Sequence, residues 1–148
     1  LLLGIGYETD AKTSEKTGVK LTMFDISDTI NLRILDSVTI NEDFCSAAEN
    51  YKCAFVDTGR GLVGFATETW TKTNYNRYML FQWDGTSFVK KISLKRTQQK
   101  MDTWTGAEQI RGLSSGDRFY VLHVERDDFS LISYDMKNDF QEIETQRY

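Results

Sequence analysis

Proline is missing from all 148 residues, so every reversal of the chain has to be made with glycine, asparagine, aspartate or serine. Histidine occurs once and cysteine twice, without a Cys-x-x-Cys pair, which removes the usual zinc-ligand patterns. Basic charge is not in surplus. Lys and Arg total 18 against 22 Asp and Glu, a net charge of -4, whereas a nucleic-acid binder needs a clustered basic excess. The basic cluster Lys90, Lys91, Lys95, Arg96 and Lys100 reads as the solvated edge of a strand, and no nucleic-acid partner is expected. No apolar run approaches the ~20 residues of a membrane helix, so no membrane insertion is expected within this segment. Phosphate-cradling glycine loops are missing too: "GIGYET" offers Gly4 and Gly6 but no third glycine and no following helix. No cofactor and no metal is implied.

The composition that remains, 40% hydrophobic and 27% charged, is that of one globular domain long enough to bury a core. Its organisation is repetitive. "LTMFDISDTINLRILDSVTI" from Leu21 returns as "YMLFQWDGTSFVKKISLKR" from Tyr78 and as "FSLISYDMKNDFQEIETQRY" from Phe129. Three aromatic-aspartate pairs align, Phe24-Asp25, Trp83-Asp84 and Tyr134-Asp135. Each follows an apolar, β-branched and aromatic stretch and precedes a polar turn, which is the pattern of a β-hairpin. Asp25, Asp84 and Asp135 are expected to accept hydrogen bonds from the turn amides.

Another strand precedes each hairpin: "LLLGIGYE", "GLVGFATETW" and "RFYVLHVE". A further one precedes the second and third, "YKCAFVDT" and "EQIRGLSS". Four antiparallel strands recurring at roughly fifty residues define a β-propeller. The expected fold is therefore all-β: a propeller fragment of about three four-stranded blades, the first incomplete, forming a single partial domain over 1–148 with units at about 1–40, 51–97 and 108–148. Helix signal is confined to one or two turns in "NEDFCSAAEN". Because the chain opens on an apolar strand, we expect further blades of the same protein upstream. Bare blade ends, with Leu3, Ile5, Leu21 and Met23 exposed at one and Phe129, Leu131 and Ile143 at the other, lead us to expect self-association.

The stretches "LLLGIGYET…VKLTMFDISD", "KCAFVDTGRGLVGFAT", "YMLFQWDGTSFVKK" and "RGLSSGDRFYVL" together resemble the C-terminal part of a secreted bacterial and archaeal β-propeller family distantly related to WD repeats. The resemblance covers nearly the whole chain. It departs from the family's habits at two positions: this chain has Tyr51 where the family tends to have a histidine before the lysine, and Thr29 where the family tends to have a proline after the first Asp-rich turn. The resemblance implies an extracellular or cell-surface location and no catalytic residues.

Chemistry read from the residues themselves is sparse. His123 lies inside an apolar strand and reads as a core histidine, so no catalytic set is assigned. Glu8 with Asp10, and Glu125 with Asp127 and Asp128, follow second strands. They are the residues a glycosidase reading would have to use, since that reaction needs two carboxyl groups a few ångströms apart. The loops "TETWTKTNYNRY" and "QKMDTWTGAE" carry aromatic side chains among polar ones. Trp70, Tyr75, Tyr78 and Trp104 are thus the candidate ligand contacts, for protein or carbohydrate at a cell surface. Cys45 and Cys53 leave two readings open, a disulfide outside the cell or two buried thiols. The expected function is a non-enzymatic binding or scaffold module. A carbohydrate-active enzyme completed by upstream blades, and a purely structural repeat array, are the alternatives.

Overall fold

A computed structural model describes residues 1–70, 75–97, 106–125 and 128–148. It contains three antiparallel sheets in which the strands lie side by side in chain order. The first sheet is β1 (Leu2–Thr9), β2 (Lys16–Asp25) and β3 (Arg33–Ile40). The second joins β6 (Leu62–Thr69), β7 (Tyr75–Trp83) and β8 (Phe88–Thr97), with two short strands, β4 (Phe44–Cys45) and β5 (Phe55–Asp57), on the free side of β6. The third is β9 (Arg111–Ser115), β10 (Arg118–Glu125), β11 (Asp128–Asp135) and β12 (Gln141–Arg147). Each outer hairpin carries one register shift, at Met23/Phe24, Leu80/Phe81 and Ser133/Tyr134, so the repeat extends to its irregularities.

The inner strand of the second unit differs from the one expected at "YKCAFVDT". Tyr51–Cys53 form a 3-10 turn and only Phe55–Asp57 pair with β6. Pairing begins earlier, at Phe44 opposite Glu68. Between the two short strands the chain bulges out through α1 (Ser46–Glu49). Side chains replace the missing ladder there. Ser46 Oγ donates to the Ala66 carbonyl at 2.9 Å, and Asn50 Oδ1 accepts from the Lys52 amide at 3.1 Å. The backbone groups that a continuous strand would have paired are met in this way. Cys45 and Cys53 flank the bulge as free, buried thiols, and burial pushes the Cys45 thiol up.

Period-two alternation explains how three sheets share two cores. On β6 and β7, Val63, Phe65, Met79 and Phe81 face the first sheet, where Val19, Leu21, Met23 and Ile40 meet them. Leu62, Ala66, Tyr78 and Leu80 face the third, against Phe119, Val121, Ile132, Tyr134 and Phe140. The central sheet is apolar on both faces because it is covered on both.

One expectation about the ends is corrected by this stacking. Leu21 is fully buried and Met23 nearly so, with Leu3 and Ile5 packed beside them, because they face the second sheet. The opposite parity of the first sheet holds Leu2, Gly4, Gly6, Lys20, Thr22 and Phe24, of which Leu2 is exposed and Thr22 is buried. Phe129 and Ile143 are exposed at the other end, and Leu131 is half-buried. They flank half-buried Tyr120 and Leu122 on the outward face of the third sheet.

Tyr78 is the bulkiest of the fully buried side chains and sits at the seam of the second and third sheets. Its ring is 6.1 Å from that of Phe119. It passes over Gly64 of β6 and Gly112 of β9, and a methyl group at either would overlap its hydroxyl. The hydroxyl itself has no hydrogen-bond partner among the described residues. Replacing Gly112 by Ala forces a well-packed seam apart, so we expect a loss of about 2 kcal/mol and a fall of about 5 °C in thermal midpoint. Tyr78→Phe removes an unsatisfied buried hydroxyl and is expected to leave the midpoint unchanged or raise it. Differential scanning calorimetry of the two variants checks both.

Candidate binding rim

The links between units and the turns of the outer hairpins, β2–β3, β7–β8 and β11–β12, emerge at opposite rims of the stack. At one rim the chain leaves β3, enters β4, and leaves β6 for β7. Glu42 in the β3–β4 link has a side chain only 1% exposed. Its Oε1 accepts from the Tyr75 hydroxyl at 3.1 Å and pairs with Arg77 Nη1 at 3.1 Å. Arg77 Nη2 in turn donates to the Tyr75 oxygen at 3.2 Å. Among the described residues, Glu42 Oε2 and Arg77 Nε have no hydrogen-bond partner. The Tyr75 ring has two cations near it, with Lys95 Nζ 3.9 Å and Arg77 Cζ 5.1 Å from its centre. Burial pushes the Glu42 carboxyl up, and the Arg77 guanidinium opposes that push without cancelling it. Burial also raises the Tyr75 phenol, and the Glu42 charge adds to it.

Asp43 fixes the neighbouring tryptophan. Its Oδ2 accepts from Thr69 Oγ1 and from the Trp70 amide, both at 2.8 Å. The indole of Trp70 is tilted 42° against Phe44 at 6.4 Å and remains 47% exposed. The rim thus presents an aromatic surface anchored from its backbone, next to a buried network of carboxylate, phenol and guanidinium.

Of the four aromatic candidates the structure brings Trp70 and Tyr75 to this rim. Tyr78 is not there. It is one of the core residues, because alternation from Tyr75 along β7 turns it toward the third sheet. Trp104 lies outside the described residues. Of the carboxylates, Glu8 is ion-paired with Lys20, and Asp10 caps its own turn through the amides of Lys12 and Thr13 at 2.8 and 2.9 Å. Asp127 lies outside the described residues, as do the side chains of Glu125 and Asp128. Sequence reasoning passed over Glu42, Asp43 and Arg77. The available signal was a single charged residue, an arginine, in the run "YNRYMLF", which calls for a counter-charge nearby.

The three repeated aspartates all lie at the opposite rim, at equivalent ends of β2, β7 and β11. Asp25 accepts from the Ser27 amide at 2.9 Å, Asp84 from those of Thr86 and Ser87 at 2.8 Å, and Asp135 from that of Lys137 at 3.0 Å. Hydrogen bonds from Ser27, with Arg33 beside it, hold the Asp25 carboxyl down to about 2. Those from the Ser87 and Thr86 amides do the same for Asp84.

A family model described as Beta propeller domain matches residues 1–132, and the chain belongs to that family. Comparison with curated proteins and with solved structures gives no match.

Two outcomes follow from the charges described. Arg77→Met leaves the Glu42 carboxylate buried without its cation, which we expect to cost about 2 kcal/mol at pH 7, less than a fully buried pair because Arg77 is partly solvated. The folded state binds the Glu42 proton more tightly than the unfolded chain does, so protonation relieves the deficit. The variant is therefore expected to lie closer to the parent at pH 4 than at pH 7 in urea titrations. Asp25 and Asp84 behave in the opposite sense. Their stabilisation is complete above the ordinary carboxyl range and is lost as pH falls toward 2. Asp84→Ala should lower the thermal midpoint at pH 7 and make the acid-induced fall shallower, as read by circular dichroism melts across pH 2–7.

Proposed function

We propose that the chain is a non-enzymatic binding module of a secreted or cell-surface β-propeller protein, and that it engages its ligand through the rim carrying Trp70. The observation that carries this reading is the indole itself. It is 47% exposed, yet held by Asp43 through its amide and by Phe44 through its ring. An aromatic face that is fixed before binding loses little entropy on contact, and it stacks on a sugar ring or a peptide side chain equally well. Tyr75, Arg77 and Lys95 beside it supply donors and charge, the usual complement to an apolar anchor. Secretion would place the rim where extracellular polysaccharide is the abundant partner, and saccharide is the ligand we favour.

Binding to an array of bacterial polysaccharide fragments tests this. Trp70→Ala is expected to reduce the signal about tenfold or more, as loss of an aromatic anchor does, with the thermal midpoint unchanged. Equal binding by parent and variant would remove the rim from consideration. Release of reducing ends from a bound fragment would instead favour the carbohydrate-active enzyme. If no fragment binds, the structural array becomes the better reading.

A further inference from the structure

The rim opposite Trp70 contains a cleft between the second and third sheets, with a volume of about 630 Å³. Its floor is apolar, made by Leu62 and Phe140, which are 2% and 8% exposed. Three cations line it from both sides of the seam: Arg60 from the β5–β6 turn, Lys91 from β8, and Lys137 from the turn after β11. Gln82 of β7 adds an amide, which donates to the Arg60 carbonyl at 3.2 Å. This convergence of positive charge occurs in a chain whose net charge is -4.

Each cation is held by a carboxylate at the mouth. Arg60 pairs with Asp57 at 2.8 Å, Lys91 with Asp139 at 2.7 Å, and Lys137 with Asp117 at 2.6 Å. Arg60 also donates across the seam to the Gly116 carbonyl at 3.1 Å. The Lys91–Asp139 pair is lopsided. The lysine side chain is 19% exposed and set in the wall, while the aspartate is 81% exposed. Asp117 is 57% exposed. Ion pairs whose anion stands in water contribute little and are readily exchanged for a better-placed anion.

The backbone at the mouth is unusual as well. Asp139 and Phe140 have φ of 47° and 59°, successive non-glycine residues in the left-handed region. Aspartate tolerates this conformation, whereas for a phenylalanine it is uncommon and costly. The conformation turns the Phe140 ring inward, edge-on to Phe119 at 6.2 Å, and leaves the Asp139 carboxylate over Lys91.

We propose that this cleft is a binding site for a small organic polyanion. Its oxyanion groups replace Asp139 on Lys91 and Asp117 on Lys137, and its body lies on Leu62 and Phe140. The volume suits a ligand of that size. Oxyanions bound to ammonium and guanidinium groups form charge-assisted hydrogen bonds, stronger than neutral ones. Because Arg60 and Lys91 belong to the second sheet and Lys137 to the third, an occupied cleft ties the two together.

Isothermal titration of the full chain with sucrose octasulfate and with citrate tests the site, with sucrose as the neutral control. Saturable, salt-sensitive binding of one or both polyanions is expected, and none of sucrose. Binding of one polyanion alone would identify the oxyanion as sulfate or carboxylate. Lys91→Gln should weaken binding about tenfold or more, the worth of one charge-assisted hydrogen bond. Asp139→Asn keeps a residue that accepts the left-handed backbone and frees Lys91, so binding should strengthen about threefold, the worth of one exposed ion pair. The two variants move in opposite directions, and misfolding cannot imitate the second. Failure of both polyanions to bind, or affinities unaltered in both variants, would overturn the proposal.

Discussion

The seam between the second and third sheets depends on one large side chain and two small ones. Tyr78 can lie flat across the seam because Gly64 and Gly112 present bare backbone beneath its hydroxyl. Any Cβ there would lift the ring, and with it the edge-on stack of Phe119 with Phe55 and with Phe140. That stack closes the floor of the polyanion cleft. The arrangement carries an unsatisfied hydroxyl in a dry environment, a cost offset by the area the ring buries. Shape complementarity rather than polar pairing holds this interface, which is the ordinary solution between blades whose facing surfaces are both apolar.

Stacking sheets in this way divides the molecule into two rims of different chemistry. At the rim of the inter-unit links, long connections bring together residues distant in sequence. Glu42 reaches Tyr75 and Arg77, and Asp43 reaches Thr69 and Trp70. At the rim of the hairpin turns the polar contacts are mostly local, aspartates capping the next two or three amides. Exceptions among the described residues include the ties from Lys91 to Asp139, from Lys137 to Asp117, from Arg60 to the Gly116 carbonyl and from the Phe88 amide to Asp36. Both candidate sites lie where polar side chains of separate elements meet, and neither lies in the uniform body of the sheets. This is expected of a repeat fold, whose strands serve packing while its links vary.

Much of the architecture was legible in the residues. The aromatic-aspartate pairs mark the hairpin turns because an aspartate at a strand end satisfies amides that no strand can reach. The nearly continuous apolar character of "RFYVLHVE" marks a central strand, and β10 is paired along both its edges. Local chemistry decides such features, so local sequence reveals them. The same residues misled where local pattern was silent on direction. Alternation says that Leu21 and Met23 share a face, but not whether that face meets a neighbour or solvent, and it was the covered one. Aromatics at 75 and 78 look alike in a polar-aromatic stretch, yet three positions along a strand reverse the face, sending Tyr78 into the core and leaving Tyr75 at the rim.

The sequence by itself determined an all-β repeat, the places of its turns and the family to which it belongs, since periodicity, turn chemistry and repeated motifs are properties of neighbouring residues. The split inner strand with its helical bulge, the Glu42–Tyr75–Arg77 network and the cleft with its three cations were decided only by tertiary structure. Each depends on groups 20 to 56 residues apart being brought within hydrogen-bonding distance. The separation of charges in space, unlike the order of residues, is set by how the sheets stack.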